Sequence, residues 1–169
     1  MIFNTEQTKF ESLVRAYSAE LYRYAYWLCR DSFQAEDLVQ ETFARAWKAW
    51  DALREQTAAR SWLYTILRHE RARLYERKRF KIDENQNLDE LADPAANVAE
   101  ELEMRDAVLA LPPSYREPLL LQWIGGYSCK EIAGIMNLTE GAVMTRLTRA
   151  RMALRRADGA APAQRGTAR

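Results

Sequence analysis

Residues 1–79 contain neither glycine nor proline, although the chain has six of the one and five of the other. Apolar residues recur nearly everywhere at helical spacing, and alternating runs bounded by turn residues are absent, so the expected fold is all-α. Polar joints at Asp31-Ser32 and at Arg54-Glu55-Gln56-Thr57 divide the first block into helices near 6–30, 33–50 and 58–79.

Beyond this block the composition changes. FKIDENQNLDELADPAANV, residues 80–98, is polar, acidic and weakly periodic, which suits a tether better than a core element. A second helical block occupies 99–157, and 158–169 is small and rich in Gly, Pro and Ala, as a frayed end would be. The expected architecture is therefore two small helical domains, 1–79 and 99–157, joined by an acidic flexible linker.

Several function classes are disfavoured. No apolar run approaches the ~20 residues of a membrane span, and the start MIFNTEQTKFESL lacks the basic and apolar stretches of a signal peptide, so a cytoplasmic protein without membrane insertion is expected. Cys29 and Cys129 have no metal-ligand spacing and read as reduced packing or surface residues. His69 is the single histidine, and no Glu-x-x-His pattern or nucleophile-base-orienter set accompanies it. Neither a metal, a cofactor nor an enzymatic function is expected.

Net charge is only +1, but its distribution is uneven. Positive charge gathers in Arg68, Arg71, Arg73, Arg77, Lys78, Arg79 and Lys81, and again in Arg146, Arg149, Arg151, Arg155 and Arg156, while acid gathers between 83 and 103. Two separate basic stripes are the footprint of nucleic-acid contact, although a single such run is as well explained by a solvated helix face.

The segment SCKEIAGIMNLTEGAVMTRLTRARMALRR has the form of a helix-turn-helix. Ser128 with Glu131 three residues on makes a capping box, and Ile132, Ala133, Ile135 and Met136 give a short helix its buried side. Asn137 tolerates the left-handed turn that follows, and Thr139 can cap a second helix. On that helix Val143, Leu147, Ala150 and Leu154 line one side, leaving Gly141, Thr145, Thr148 and Met152 opposite, with Met144, Arg149, Arg155 and Arg156 beside them. Such a face suits a major groove, with hydroxyls and guanidinium groups at bases or phosphates.

Two further helices are more ambiguous. In QAEDLVQETFARAWKAW, Val39, Phe43, Ala46 and Trp50 form an inward stripe that leaves Asp37, Gln40, Glu41, Ala44 and Lys48 outside. The acids there suit either a docking patch or the positive end of the helix dipole. RSWLYTILRHERARLYERKRF buries Leu63, Ile66, Leu67 and Leu74 and interleaves arginines with Trp62, Tyr64, His69 and Tyr75. Rings among arginines suit unstacked single-stranded bases, and they equally suit closing a small three-helix core.

In their order along the chain these segments resemble the extracytoplasmic-function (ECF) sigma factors of bacterial RNA polymerase, over about residues 8 to 157. AEDLVQETFARAW is similar to the stretch that docks on the clamp helices of the polymerase beta-prime subunit. RSWLYTILRHERARLYERKR resembles the segment that opens and reads the −10 element. LPPSYREPLLLQWIGGYSCKEIAGIMNLTEGAVMTRLTRARMAL is similar to the region that binds the −35 element and the beta flap. The resemblance implies polymerase contacts at Asp37, Leu38, Gln40 and Glu41, and −10 contacts at Arg60, Trp62, Arg68, His69, Arg71 and Arg73. It implies −35 contacts at Lys130, Thr139, Glu140, Gly141, Met144, Thr145, Arg146, Thr148 and Arg149. Promoter DNA, core polymerase and an anti-sigma factor wedged between the domains are the implied partners.

The sequence departs from the usual family pattern at His69, commonly Asn; at Arg73, commonly Asp; at Met144, commonly Lys; and at Cys129, commonly aromatic. Pro118 falls inside a usually unbroken helix, which is expected to start or bend there. The alternative within DNA binding is a free-standing helix-turn-helix dimer, for which no heptad or apolar dimer face is visible. From another class, a helical enzyme or adaptor lacks a catalytic constellation.

Overall fold

The computed structural model describes the backbone of residues 2–84 and 99–159, with side chains for 5–80 and 104–159. Among the described residues there are seven α-helices and no strand: α1 (Ile2–Cys29), α2 (Ser32–Lys48), α3 (Ala59–Glu84), α4 (Ala99–Ala110), α5 (Pro113–Trp123), α6 (Cys129–Met136) and α7 (Glu140–Gly159). Short 3-10 turns at Trp50–Ala52 and Gln56–Ala58 carry the chain from α2 to α3.

The first three helices pack by their apolar stripes. Arg30 takes up a left-handed φ of 62° after α1, and Asp31 then caps α2 by accepting from the Gln34 amide at 3.1 Å. The chain reverses within three residues, so α1 and α2 bury Leu21, Ala25, Leu28, Ala35, Val39, Phe43 and Ala46 against each other and against Leu63 and Leu67 of α3. Phe10 meets the rings of Phe43, Trp47 and Trp50, and the Trp50 indole donates to Glu6 at 2.7 Å, which ties the end of α2 to the start of α1.

The inward stripe on α2 agrees with its periodicity. Leu38, expected to contact polymerase, is buried in the free chain at 2% exposure. Helix α3 continues to Glu84, five residues beyond its expected end. Nothing between Arg79 and Glu84 breaks a helix, and no glycine or proline occurs before Pro94. The expected linker thus begins as helix, and its remainder, 85–98, lies outside the described residues. At the far end α7 reaches Gly159, two residues into the expected tail, and 160–169 likewise lie outside.

In the second unit Val108, Leu119, Leu120, Ile132, Val143 and Leu147 make the interior of α4–α7. Arg116, itself buried, donates to the carbonyls of Leu109 and Leu111 at 2.7 and 2.8 Å and closes the C-terminal end of α4. Helix α5 starts at Pro113 and runs through Pro118, so it neither starts at the second proline nor breaks there. The first proline occupies a position whose N–H would have no helical partner anyway. The second removes a single bond, the one to the carbonyl of Ser114, an exposed residue. Two glycines make the turn after α5. Gly126 has φ +67°, and a Cβ on Gly125 would lie 2.6 Å from both the Leu121 carbonyl oxygen and the Tyr127 ring.

The two units touch. Tyr24 and Tyr64 of the first meet Tyr127 of the second in successive edge-on contacts, with centroids 4.9 and 5.3 Å apart. The buried residues of both units form one continuous cluster.

Candidate nucleic-acid interfaces

The helix-turn-helix is built by local chemistry. The Ser128 hydroxyl accepts from the Glu131 amide at 3.3 Å, and the Glu131 carboxylate accepts from the Ser128 amide at 2.8 Å and its hydroxyl at 2.9 Å. The amide first and the hydroxyl second hold the Glu131 carboxyl below its ordinary pKa. Asn137 ends α6 in the left-handed region at φ 53°, ψ 49°, and the Leu138 amide returns to the Ala133 carbonyl at 2.9 Å. Thr139 then caps α7, its hydroxyl accepting from Ala142 at 3.2 Å. Each of these residues does what its position in the sequence suggests.

On α7 the core stripe is Val143, Leu147 and Ala150. Gly141, Met144, Thr145, Thr148 and Arg149 are exposed on the other side, preceded by exposed Thr139 and Glu140, while Arg146 is half-buried at the edge. The hydroxyls of Thr145 and Thr148 donate back to the carbonyls of Gly141 and Met144 at 3.0 and 2.9 Å. Their oxygen lone pairs remain available to a donor outside the helix. Lys130 is exposed in the first turn of α6.

On α2, Asp37, Gln40 and Glu41 are exposed and share with Leu38, Ala44, Glu70, Leu74 and Arg77 the lining of an open cleft of about 420 Å³. At its floor Glu70 is only 4% exposed, and one of its oxygens serves Arg45 at 3.3 Å and Arg73 at 3.2 Å. Glu70 was invisible as a site residue, because an acid inside the run RHERAR reads as one more solvated charge.

The α3 surface differs from its sequence reading. Tyr64 is fully buried, its hydroxyl donating to Glu20 at 2.6 Å, whereas Tyr75 and His69 are exposed and Trp62 and Arg71 are half-buried. Arg73 pairs with Glu70. Arg60 donates to Glu20 at 3.0 and 2.6 Å and to the carbonyl of Gly125. Arg68 pairs with Glu117 and donates to the Ile135 carbonyl at 3.0 Å. Besides Glu70, Glu20 and Glu117 are residues that sequence reasoning missed. The one available signal was an acid flanked by apolar residues, as in SYREPLLL.

Among the described residues no group of three His, Cys, Asp or Glu side chains could hold a metal, and no helix is long and apolar enough to cross a membrane. Both cysteines are free thiols, and burial pushes the Cys29 thiol up.

A three-helix unit with a cationic third helix, followed by a helix-turn-helix unit, defines a bipartite DNA-binding protein of transcription. Sigma-70 region 2 matches residues 13–81 and Sigma-70 region 4 matches residues 101–154. The chain is 31% identical over 157 residues to the ECF RNA polymerase sigma factor SigL of Mycobacterium tuberculosis, covering 89% of each, and 30% identical over 167 residues to SigW of Bacillus subtilis, again covering 89% of each. Among solved structures it resembles the sigma factor RpoE of Bartonella quintana, in complex with the anti-sigma factor NepR, with TM-score 0.79 and 24% identity over 91% of this chain and 99% of that one. It also resembles CnrH in complex with the cytosolic domain of CnrY, with TM-score 0.68 and 28% identity over 92% and 91%. The chain belongs to the ECF sigma factors, the transcription initiation factors that direct RNA polymerase core to promoters.

Proposed function

We propose that the work of promoter recognition is divided between the two units, 1–79 and 99–157. The observation that carries this reading is the exposed face of α7, where Gly141, Met144, Thr145, Thr148 and Arg149 stand clear of a well-packed hairpin. A helix entering the major groove presents its N-terminal half to base edges, so Thr139 through Thr148 read the −35 element while Lys130, Arg146 and Arg149 hold phosphates. The outer face of α2, at Asp37, Gln40 and Glu41, docks on the beta-prime clamp helices. Leu38 supports that face from behind, and residues near α5 meet the beta flap.

Helix α3 takes the −10 element. Trp62 and His69 offer rings to unstacked bases, and Arg60, Arg68, Arg71 and Arg73 offer charge to the backbone of the melted strand. Extruding a base costs a few kcal/mol, which stacking and pocket contacts offset. Such a base would sit by the 54–61 segment, which carries Arg60 and leads into Trp62. No covalent chemistry is asked of this chain, and it acts in the cytoplasm, where its polymerase and promoter are. Its relatives of known structure are bound by anti-sigma partners, and a partner of that kind inserted between the two units would control this chain as well.

Run-off transcription with purified core polymerase on a promoter library tests the reading. Promoter-specific transcripts that require this chain are expected. Their absence, together with no association with core, would end it.

A further inference from the structure

At the start of α7, Gly141, Met144, Thr145 and Thr148 share one exposed face, and none of their side chains has a hydrogen-bond donor to spare. Glycine and methionine carry none, and the Thr145 and Thr148 hydroxyls already donate to the carbonyls of Gly141 and Met144. What the face presents is the methyl-tipped thioether of Met144, 55% exposed, together with the methyl groups and oxygen acceptors of the two threonines. In a major groove guanine shows acceptors at N7 and O6, which such a face does not satisfy. Thymine shows a C5 methyl and its adenine partner an N6 amino donor, which it does. Gly141 adds a second observation. Its φ is not positive, and a Cβ placed on it would meet nothing within 4 Å, so neither backbone nor packing asks for glycine there. Alanine would serve the helix better, and a bare backbone at this position suits a surface that comes close from outside the chain.

We propose that this face reads an A·T pair of the −35 element and that Met144 is the specificity-determining residue, its terminal methyl packing on the thymine C5 methyl. Thr145 accepts from the adenine N6 amino group, and Gly141 lets the start of α7 sit close enough to the bases for both contacts. This rests on the reading of α7 as the −35 helix. In that reading Lys130, Arg146 and Arg149 hold phosphates, which fixes the position of the helix and carries no sequence information. A lysine at 144, the usual family residue, would add attraction to any duplex. The uncharged thioether gives up that general attraction and gains discrimination between a base that carries a methyl group and one that does not. Its flexible, polarizable chain can follow the thymine edge without strain.

Holoenzyme assembled from the full chain and core polymerase is titrated, by fluorescence anisotropy, against a promoter duplex recovered from the run-off library. Each thymine of its −35 element, on either strand, is replaced in turn by deoxyuridine, which pairs in the same way and lacks only the C5 methyl. At least one position should bind about fourfold more weakly as uracil, the worth of one buried methyl group. Met144→Ala should bind the thymine and uracil duplexes alike, and Met144→Lys should tighten binding to both without restoring the difference. Gly141→Ala should melt no lower than the wild type and yet bind several-fold more weakly. The assignment is overturned if no −35 thymine is preferred over uracil, if the preference survives in Met144→Ala, or if the recovered −35 element consists of G·C pairs alone. If instead Arg149→Ala, Met144→Lys and Gly141→Ala all bind the promoter as the wild type does, α7 does not enter the groove and the −35 reading itself falls.

Discussion

Helices α3 and α7 are both rich in arginine, yet they meet different partners. On α3, Arg60, Arg68 and Arg73 each pair with a carboxylate, from Glu20, Glu117 and Glu70. On α7, among the described residues, Arg149 meets the Tyr115 hydroxyl at 3.4 Å, and Arg151 meets the neutral amide oxygen of Gln122. A neutral partner orients a guanidinium without cancelling its charge, so α7 keeps its field for phosphate. A carboxylate partner cancels the charge, so α3 reaches full strength only when its acids are removed. Helical charge density alone does not separate these cases. The deciding acids lie 40 to 49 residues away for Arg60 and Arg68.

The strongest test of the contrast is a cavity placed under each helix. Leu147, 1% exposed beneath α7, and Leu67, fully buried beneath α3, are equivalent in kind. Either leucine replaced by alanine should cost about 2 to 5 kcal/mol. Four of the five tryptophans, Trp27, Trp47, Trp50 and Trp62, report on the first unit. Thermal melting followed by fluorescence and by circular dichroism should therefore separate the units, with Leu147→Ala lowering a transition that fluorescence barely sees. A fluorescence midpoint that drops equally in both variants would mean that the seam welds the two helices into one cooperative unit.

A smaller effect sharpens the electrostatic half. Arg149→Ala should weaken promoter duplex binding several-fold and lower the salt slope of log K by about 1, as loss of one phosphate contact does. Unchanged promoter binding and transcription would remove Arg149 from the interface and leave α7 no different from any solvated basic helix.

The same two helices show what could be read in the sequence. Around α6 and α7 nearly everything was legible, because Ser128, Glu131, Asn137 and Thr139 act on neighbours within a few residues. The all-helical fold was legible for a similar reason, since a stripe such as Val143, Leu147 and Ala150 states its own period. Around α3 the elements were legible and the surface was not. Tyr64, His69 and Tyr75 share one helix, yet the first is core and the other two are exposed, a division set by where α1, α2 and α6 pack against it. Pro118 does not mark the start of α5, because Pro113 at the first helical position already supplies it.

A capping substitution ranks next. Ser128→Ala removes both the acceptor for Glu131 and one donor to it, and the second unit should lose about 1 kcal/mol, read as a lower chemical-denaturation midpoint with an unchanged slope. The first unit should respond less, since it meets the cap only where Arg60 and Glu131 line the same pocket. A slope change would mean that the cap also shapes the denatured chain.

The smallest effects are expected in pH, and they place the hairpin and the seam at opposite ends of the scale. Glu131 is held below its ordinary pKa by the Ser128 amide and then its hydroxyl. A depressed carboxyl contributes stability that is present above its unfolded value, ~4.3, and lost as pH falls through the folded value, so the α6 cap loosens in acid. Tyr127 is pushed up to about 12, chiefly by burial, against the opposing pull of Arg60. A raised phenol contributes stability that is complete below its unfolded value, ~10, and lost as pH rises through the folded value. Scattering against pH should therefore show the two units parting in alkali while α6 stays capped. Tyr127→Phe should move that parting upward, because Tyr64, which burial and then Glu20 also raise, is then the next phenol at the seam to ionise. Equal compactness of the wild type and of Tyr127→Phe throughout the alkaline range would leave the Arg68–Glu117 pair, and not the aromatic contact, as what holds the seam.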